Sequence, residues 1–231
     1  PRVRRQRQMC IRDRIQALYN IVDSFFVGKY SETGLTALSI IYPVQLLMIA
    51  LGVGTGVGIN TDMAYYLGIG KKKKAEEVAG TGTPLGLILW IIFAAVCYVT
   101  LPAYAGMSTD SPEVIRDVVA YGRIVCLFSI GLFTEGIWSK ILQAEGDMRT
   151  PMIAQIAGAV VNIILDPLLI FGMLGMPEMG ISGAAVATVS GQIVAALIVM
   201  KKAWYRSPRR SCYPGHITVS YTHLRAHETG R

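Results

Sequence analysis

Asp23 and Asp166 each stand inside a long apolar stretch, and both stretches share a pattern. The first reads Asn20-Ile-Val-Asp23-Ser-Phe-Phe-Val-Gly28. The second reads Asn162-Ile-Ile-Leu-Asp166-Pro167-Leu-Leu-Ile-Phe-Gly172. Asn162 and Asp166 are four residues apart, so a helix carries them on one face. Pro167 removes a backbone donor and frees the carbonyl of Ile163 one turn back. A carboxylate, an amide oxygen and a free carbonyl are what a hard monovalent cation needs. The same cluster could instead hold a proton, because apolar surroundings disfavour a charged carboxyl. It could also simply hydrogen-bond helices together.

These acids matter because of the elements that carry them. Of 231 residues 52% are hydrophobic and 16% charged, against roughly a quarter charged in an average soluble domain. Mean hydropathy is +0.45. Such a chain has too little charge to cover a soluble core, which excludes a disordered chain and an ordinary soluble enzyme. Its apolar surface must face the lipid bilayer. A charged side chain at mid-bilayer costs at least ~2.5–3.5 kcal/mol on insertion scales. An acid retained there, where an amide makes the same helix contact, points to function.

Five long apolar runs occupy 35–59, 84–101, 118–142, 152–174 and 181–200, and a shorter one 15–27. At 1.5 Å per residue the short run reaches only about 20 Å, less than the ~30 Å hydrocarbon core. None alternates as a barrel strand does. The expectation is an all-α membrane protein with six transmembrane helices over 15–203, the first truncated. Lys71–Lys74, Lys140, Arg149, Lys201, Lys202, Arg206, Arg209 and Arg210 fall on one side of those runs. The other side carries Lys29 and Arg116 among acids such as Glu32, Asp110 and Glu178. That asymmetry puts the basic set, and with it the N-terminus, in the cytoplasm. The net charge of +7 is therefore topological and implies no nucleic-acid partner.

Further polar residues lie at membrane depth. Glu135 could attract a cationic substrate or pair with Lys140. Gln45 follows Pro43, a kink position, and could line a pathway or pack. Thr188 sits on a small-residue face suited to helix contact. Gly52, Gly54, Gly56 and Gly58 resemble a phosphate loop without its strand or Lys-Ser/Thr; their spacing of four suits close helix packing. Cys97 and Cys126 read as small buried hydrophobes. All three histidines lie at the C-terminus, and neither an HExxH pair nor a serine with a base suggests catalysis. No cofactor, structural metal or enzymatic activity is expected.

The ends differ from the body. Met9–Asp13 can be encoded by a stretch whose reverse complement reads Val219–His223, an inverted repeat expected of ligated adapter sequence. Residues 1–14 and those from about 219, within a cytoplasmic tail over 204–231, are set aside as foreign.

The body resembles the multidrug and toxic-compound extrusion (MATE) family. The matching segments are IVDSFFVGKY with LTALSIIYPV, LGIGKKKKAEEVAGT, ILQAEGDMRTPM, NIILDPLLIFGM and GISGAAVATVSGQ. The resemblance implies one lobe of a twelve-helix, two-lobe transporter of the plasma membrane, lacking its C-terminal lobe. It implies export of organic cations and drugs in exchange for Na⁺ or H⁺. It also implies an ion site at Asp23, Asn162, Asp166 and Thr188. Two alternatives remain: a lipid-linked oligosaccharide flippase, whose cavity should carry Arg or Lys for pyrophosphate, and a structural membrane protein indifferent to Asp166→Asn.

Overall fold

The computed structural model describes residues 21–175 and 177–206, so the segments taken as foreign lie outside the described residues. The described chain is helical throughout. Helix α1 covers 21–30. It is followed by α2 (Glu32–Gly68), α3 (Lys72–Ser108), α4 (Pro112–Leu127), α5 (Ile130–Ala144), α6 (Arg149–Ile170) and α7 (Ile181–Arg206), with a 3₁₀ turn at Met173–Gly175. Among the described residues, helices α2, α3, α6 and α7 are each long and apolar enough to cross a membrane, and α4 and α5, bent by 44° at their junction, are so when taken together. With α1 these make a six-helix bundle.

Two features depart from the expected boundaries. Helices α2 and α3 run 37 residues each, well past their apolar runs, because polar turns continue a helix whose backbone is already paired. The run over 118–142 is not one helix. It breaks at Phe128-Ser129 without a proline, and local donors cover the carbonyls that the break exposes. Ser129 Oγ donates to the Cys126 carbonyl (2.7 Å) and Trp90 Nε1 to that of Leu127 (3.1 Å). The prolines expected to kink helices, Pro43 and Pro167, stand within the uninterrupted α2 and α6.

Local signals set the ends. Ser31 caps α2 by accepting from the Gly34 N–H, and Pro112 opens α4. Asp147 Oδ1 accepts from the N–H groups of Arg149 and Thr150 at the start of α6, the capping role that favours Asp there. Gly172, at φ 65°, turns the chain out of α6.

Helix α5 is the hub, packing on α2, α3, α6 and α7. Phe133 joins a core with Ile41, Leu101, Tyr121 and Ile170. One and two turns on, Ile137 and Ile141 join a second core with Ile59, Met63 and Val199. Small residues permit this closeness. A Cβ on Gly56 would lie 2.8 Å from the Gly136 carbonyl oxygen, and one on Gly52 3.1 Å from Leu132. Gly54 and Gly58 have nothing within 4 Å, which corrects the expectation that both spaced pairs pack. Positions two apart on a helix face roughly opposite ways, so only one pair can meet α5. Helices α6 and α7 cross still closer: a Cβ on Gly158 would lie 2.7 Å from the Gly191 oxygen, and one on Gly191 2.6 Å from that of Gly158. Away from these contacts Val99 (76% exposed), Ile91 and Ile92 present apolar surface outward.

Candidate functional site

The α6–α7 crossing sets the distance between the polar residues that follow it. Asn162 lies one turn beyond Gly158, and Thr188 nearly one turn before Gly191. Asn162 Nδ2 stands 3.3 Å from Asp166 Oδ1 and 3.4 Å from Thr188 Oγ1. Asp23, on α1, lines the same cavity as Asn162 and Thr188. All four side chains are buried, Asp166 completely (0% exposed) and Asp23 to 6%. The four residues named from the sequence and the family resemblance therefore converge on one polar cluster.

The cluster is rich in acceptors and poor in donors. Asp23 Oδ1, Asn162 Oδ1 and Asp166 Oδ2 are buried without a hydrogen-bond partner. Leaving a buried acceptor unpaired costs about 1–3 kcal/mol, more when it is charged. Two carboxylates, an amide oxygen and a hydroxyl are hard donors of the kind that hold alkali or alkaline-earth ions rather than soft metals. Among the described residues no three His, Cys, Asp or Glu side chains converge. The set thus carries two formal charges and completes itself with neutral oxygens.

The cluster opens into a cavity of about 450 Å³ lined by residues of every helix except α3. Asp23, Asn162 and Thr188 line it, while Asp166 stays outside the lining. Gln45 and Glu135, named from the sequence as substrate contacts, line it too. Both have partners: Gln45 Nε2 donates to the Tyr121 hydroxyl (3.0 Å), and Ser139 Oγ to Glu135 Oε1 (2.6 Å). Tyr42 and Leu46, half exposed, mark where the cavity meets the surface. No Arg or Lys lines it among the described residues.

Sequence inspection missed Gln155, Gln192 and Tyr121, all of which line the cavity. Helical spacing holds the signal for two of them. Gln155 precedes Asn162 by seven residues and Gln192 follows Thr188 by four, so each shares its neighbour's face. Tyr121 carried no such signal, because a tyrosine in an apolar run reads as packing.

A bundle of long apolar helices around an acidic cavity that meets the surface is the architecture of a membrane protein. The family model described as MatE matches residues 9–168, and the chain belongs to that family. It is 30% identical over 189 residues to the probable multidrug resistance protein NorM of Thermotoga maritima, covering 80% of this chain and 40% of NorM. It is 29% identical to an FAD transporter of Shewanella oneidensis, covering 77% of this chain and 39% of that relative. A solved MOP-superfamily transporter from Pyrococcus furiosus superposes with a TM-score of 0.81 at 28% identity, covering 91% of this chain and 45% of the other. The chain spans about 40% of the length of the curated relatives it matches.

Proposed function

We propose that this chain forms one lobe of a cation-coupled antiporter of the plasma membrane, its N-terminus cytoplasmic, that exports organic cations and drug-like compounds. Na⁺ or H⁺ is the coupling ion, and a second six-helix lobe completes the pathway. One observation carries the proposal: three buried oxygens, on Asp23, Asn162 and Asp166, lack partners beside a cavity that reaches the surface.

The coupling ion enters from outside and binds between Asp23 and Asp166, with Asn162 and Thr188 completing its oxygen shell. Neutralising the pair removes the repulsion between two like charges and their demand for water. Helices α1, α6 and α7 can then close on one another, which shifts the balance between outward and inward states. An organic cation occupies the cavity, attracted by Glu135 and the faces of Tyr42 and Tyr121. Ion and substrate displace one another through that shift. Acids without Arg or Lys in the lining favour a cationic substrate over a pyrophosphate-linked one.

The test is efflux from proteoliposomes holding the two-lobe protein that carries this lobe. An imposed Na⁺ or proton gradient is expected to drive a lipophilic cationic dye against its own gradient. Failure of both gradients to move the dye, in protein that binds it, sinks the proposal.

A further inference from the structure

Arg123 has no role in the cavity. It follows Tyr121 by two residues of α4, a rotation of about 200°, so it leaves the helix on the side opposite the cavity wall. That side meets α3, which contributes nothing to the cavity lining. There the guanidinium carbon lies 4.9 Å from the ring centroid of Tyr98, a side chain 51% exposed. Nε of Arg123 is buried and unpartnered. No carboxylate of the described residues pairs with it.

Stacking on a ring stabilises the charge but supplies no acceptor for a group with five N–H donors. The position says what can. Tyr98 lies three residues inside the end of its apolar run, and Arg123 five residues inside the start of its own. Both are thus within roughly 5–8 Å of the hydrocarbon boundary, on the side opposite Lys71–Lys74. A guanidinium at that depth reaches the headgroup layer by extending its stem. Deeper in the bilayer, on the same helix faces, come Leu127 one turn along α4 and Ile91 two turns back along α3. They are 39% and 56% exposed. A cation at the boundary above an apolar track matches the layout of a phospholipid, whose phosphodiester accepts two parallel hydrogen bonds from a guanidinium.

We propose that the outer face of the α3–α4 pair, headed by Arg123 and Tyr98, holds one phospholipid with its phosphate on the Arg123 guanidinium and an acyl chain against Leu127 and Ile91. That leaflet is the one opposite Lys71–Lys74, the outer leaflet on the proposed topology.

Native mass spectrometry of the full chain in detergent micelles tests this. The probes are dioleoylphosphatidylglycerol, dioleoylglycerol and inorganic phosphate. The wild-type chain is expected to hold one phosphatidylglycerol at concentrations where dioleoylglycerol leaves no adduct and inorganic phosphate does not compete. Arg123→Gln is expected to weaken that binding on the order of tenfold, the loss of one charged hydrogen-bonded contact. Arg123→Lys should weaken it less, and Tyr98→Leu a few-fold. The difference between wild type and Arg123→Gln isolates this site from lipid held at Lys71–Lys74. Equal lipid occupancy in wild type and Arg123→Gln overturns the proposal. So does displacement of the lipid by inorganic phosphate, or equal binding of dioleoylglycerol. If Arg123→Gln does not fold, Tyr98→Leu at its exposed position and the competition on the wild-type chain still decide the matter.

Discussion

Two sets of polar groups around the cavity stand in opposite states of satisfaction. In the first, Gln45 donates to Tyr121, and Glu135 accepts from Ser139. In the second, Asp23, Asn162 and Asp166, and with them Gln192, keep buried oxygens with nothing to bond. Both sets are polar at membrane depth, yet packing and local hydrogen bonds account for the first alone. The second costs free energy that the folded lobe does not recover from its own atoms. An unpaired buried acceptor beside an accessible cavity is a site for something brought from outside, and the donor set selects a small cation or a proton. The contrast predicts that neutral replacements hurt function most where the native group is least satisfied.

The largest effect belongs to Asp166, which is fully buried. In the two-lobe transporter, Asp166→Asn is expected to lower ion-driven efflux by about a hundredfold or more, since the charge the ion neutralises is gone. The protein should melt at the same temperature or higher, because an amide is cheaper to bury than a carboxylate. Dye efflux in proteoliposomes and a detergent melting curve measure the two. Retained efflux, or a marked loss of stability, would make Asp166 a structural group like Gln45 and erase the contrast.

A second substitution separates site from scaffold. Gly191→Ala places a methyl 2.6 Å from the Gly158 carbonyl oxygen and 3.3 Å from Asn162 Cβ. The α6–α7 crossing must open, at a cost of about 1–3 kcal/mol. Here efflux and melting temperature should fall together, the reverse of Asp166→Asn. The same change at Gly54, which faces nothing within 4 Å, should alter neither. A stable Gly191→Ala with full transport would mean that the crossing does not hold Asn162 against Thr188.

The cluster was legible in the sequence because the cost of burying charge in lipid is written in residue types. Asp23 and Asp166 stand out against their apolar neighbours, and the spacing of Asn162 and Asp166 puts them on one face. The spans were legible for the same reason. What escaped depends on contacts between helices. The break at Phe128-Ser129 has no proline to announce it and relies on Trp90, thirty-seven residues away. The alternating glycines 52 to 58 of α2 look equivalent in sequence, and only the position of α5 separates Gly52 and Gly56 from Gly54 and Gly58. Satisfaction is the least legible property of all. Glu135 and Asp166 both read as intramembrane acids with a polar neighbour four residues away; Ser139 satisfies an oxygen of Glu135, and only the third dimension shows that Asp166 Oδ2 stays bare.

Thr188 tests the contrast at finer grain. Its hydroxyl contacts Asn162 and faces the cavity, but it is a neutral donor beside two acids. Thr188→Val keeps the shape and removes the oxygen. Losing one neutral hydrogen bond or ligand of about 1 kcal/mol corresponds to roughly a five- to tenfold weaker ion affinity. Thr188→Ser should restore most of it. Half-maximal ion concentration for efflux is the measurement, and a Thr188→Val protein with unchanged ion dependence removes Thr188 from the shell.

The smallest change is expected in the satisfied set. Glu135→Gln keeps an oxygen for the Ser139 hydroxyl, so stability and ion dependence should stay within about twofold of wild type. What it removes is a partly exposed negative charge on the cavity wall, worth on the order of 1 kcal/mol or less to a cation in contact with water. Half-maximal concentration for a monovalent cationic dye should therefore rise a few-fold, while that for a neutral dye of the same shape stays put. Comparing the two dyes is the decisive step. An equal shift for both makes Glu135 a packing group, whereas a shift in ion dependence as large as that of Thr188→Val would show that the two sets of polar groups form one site.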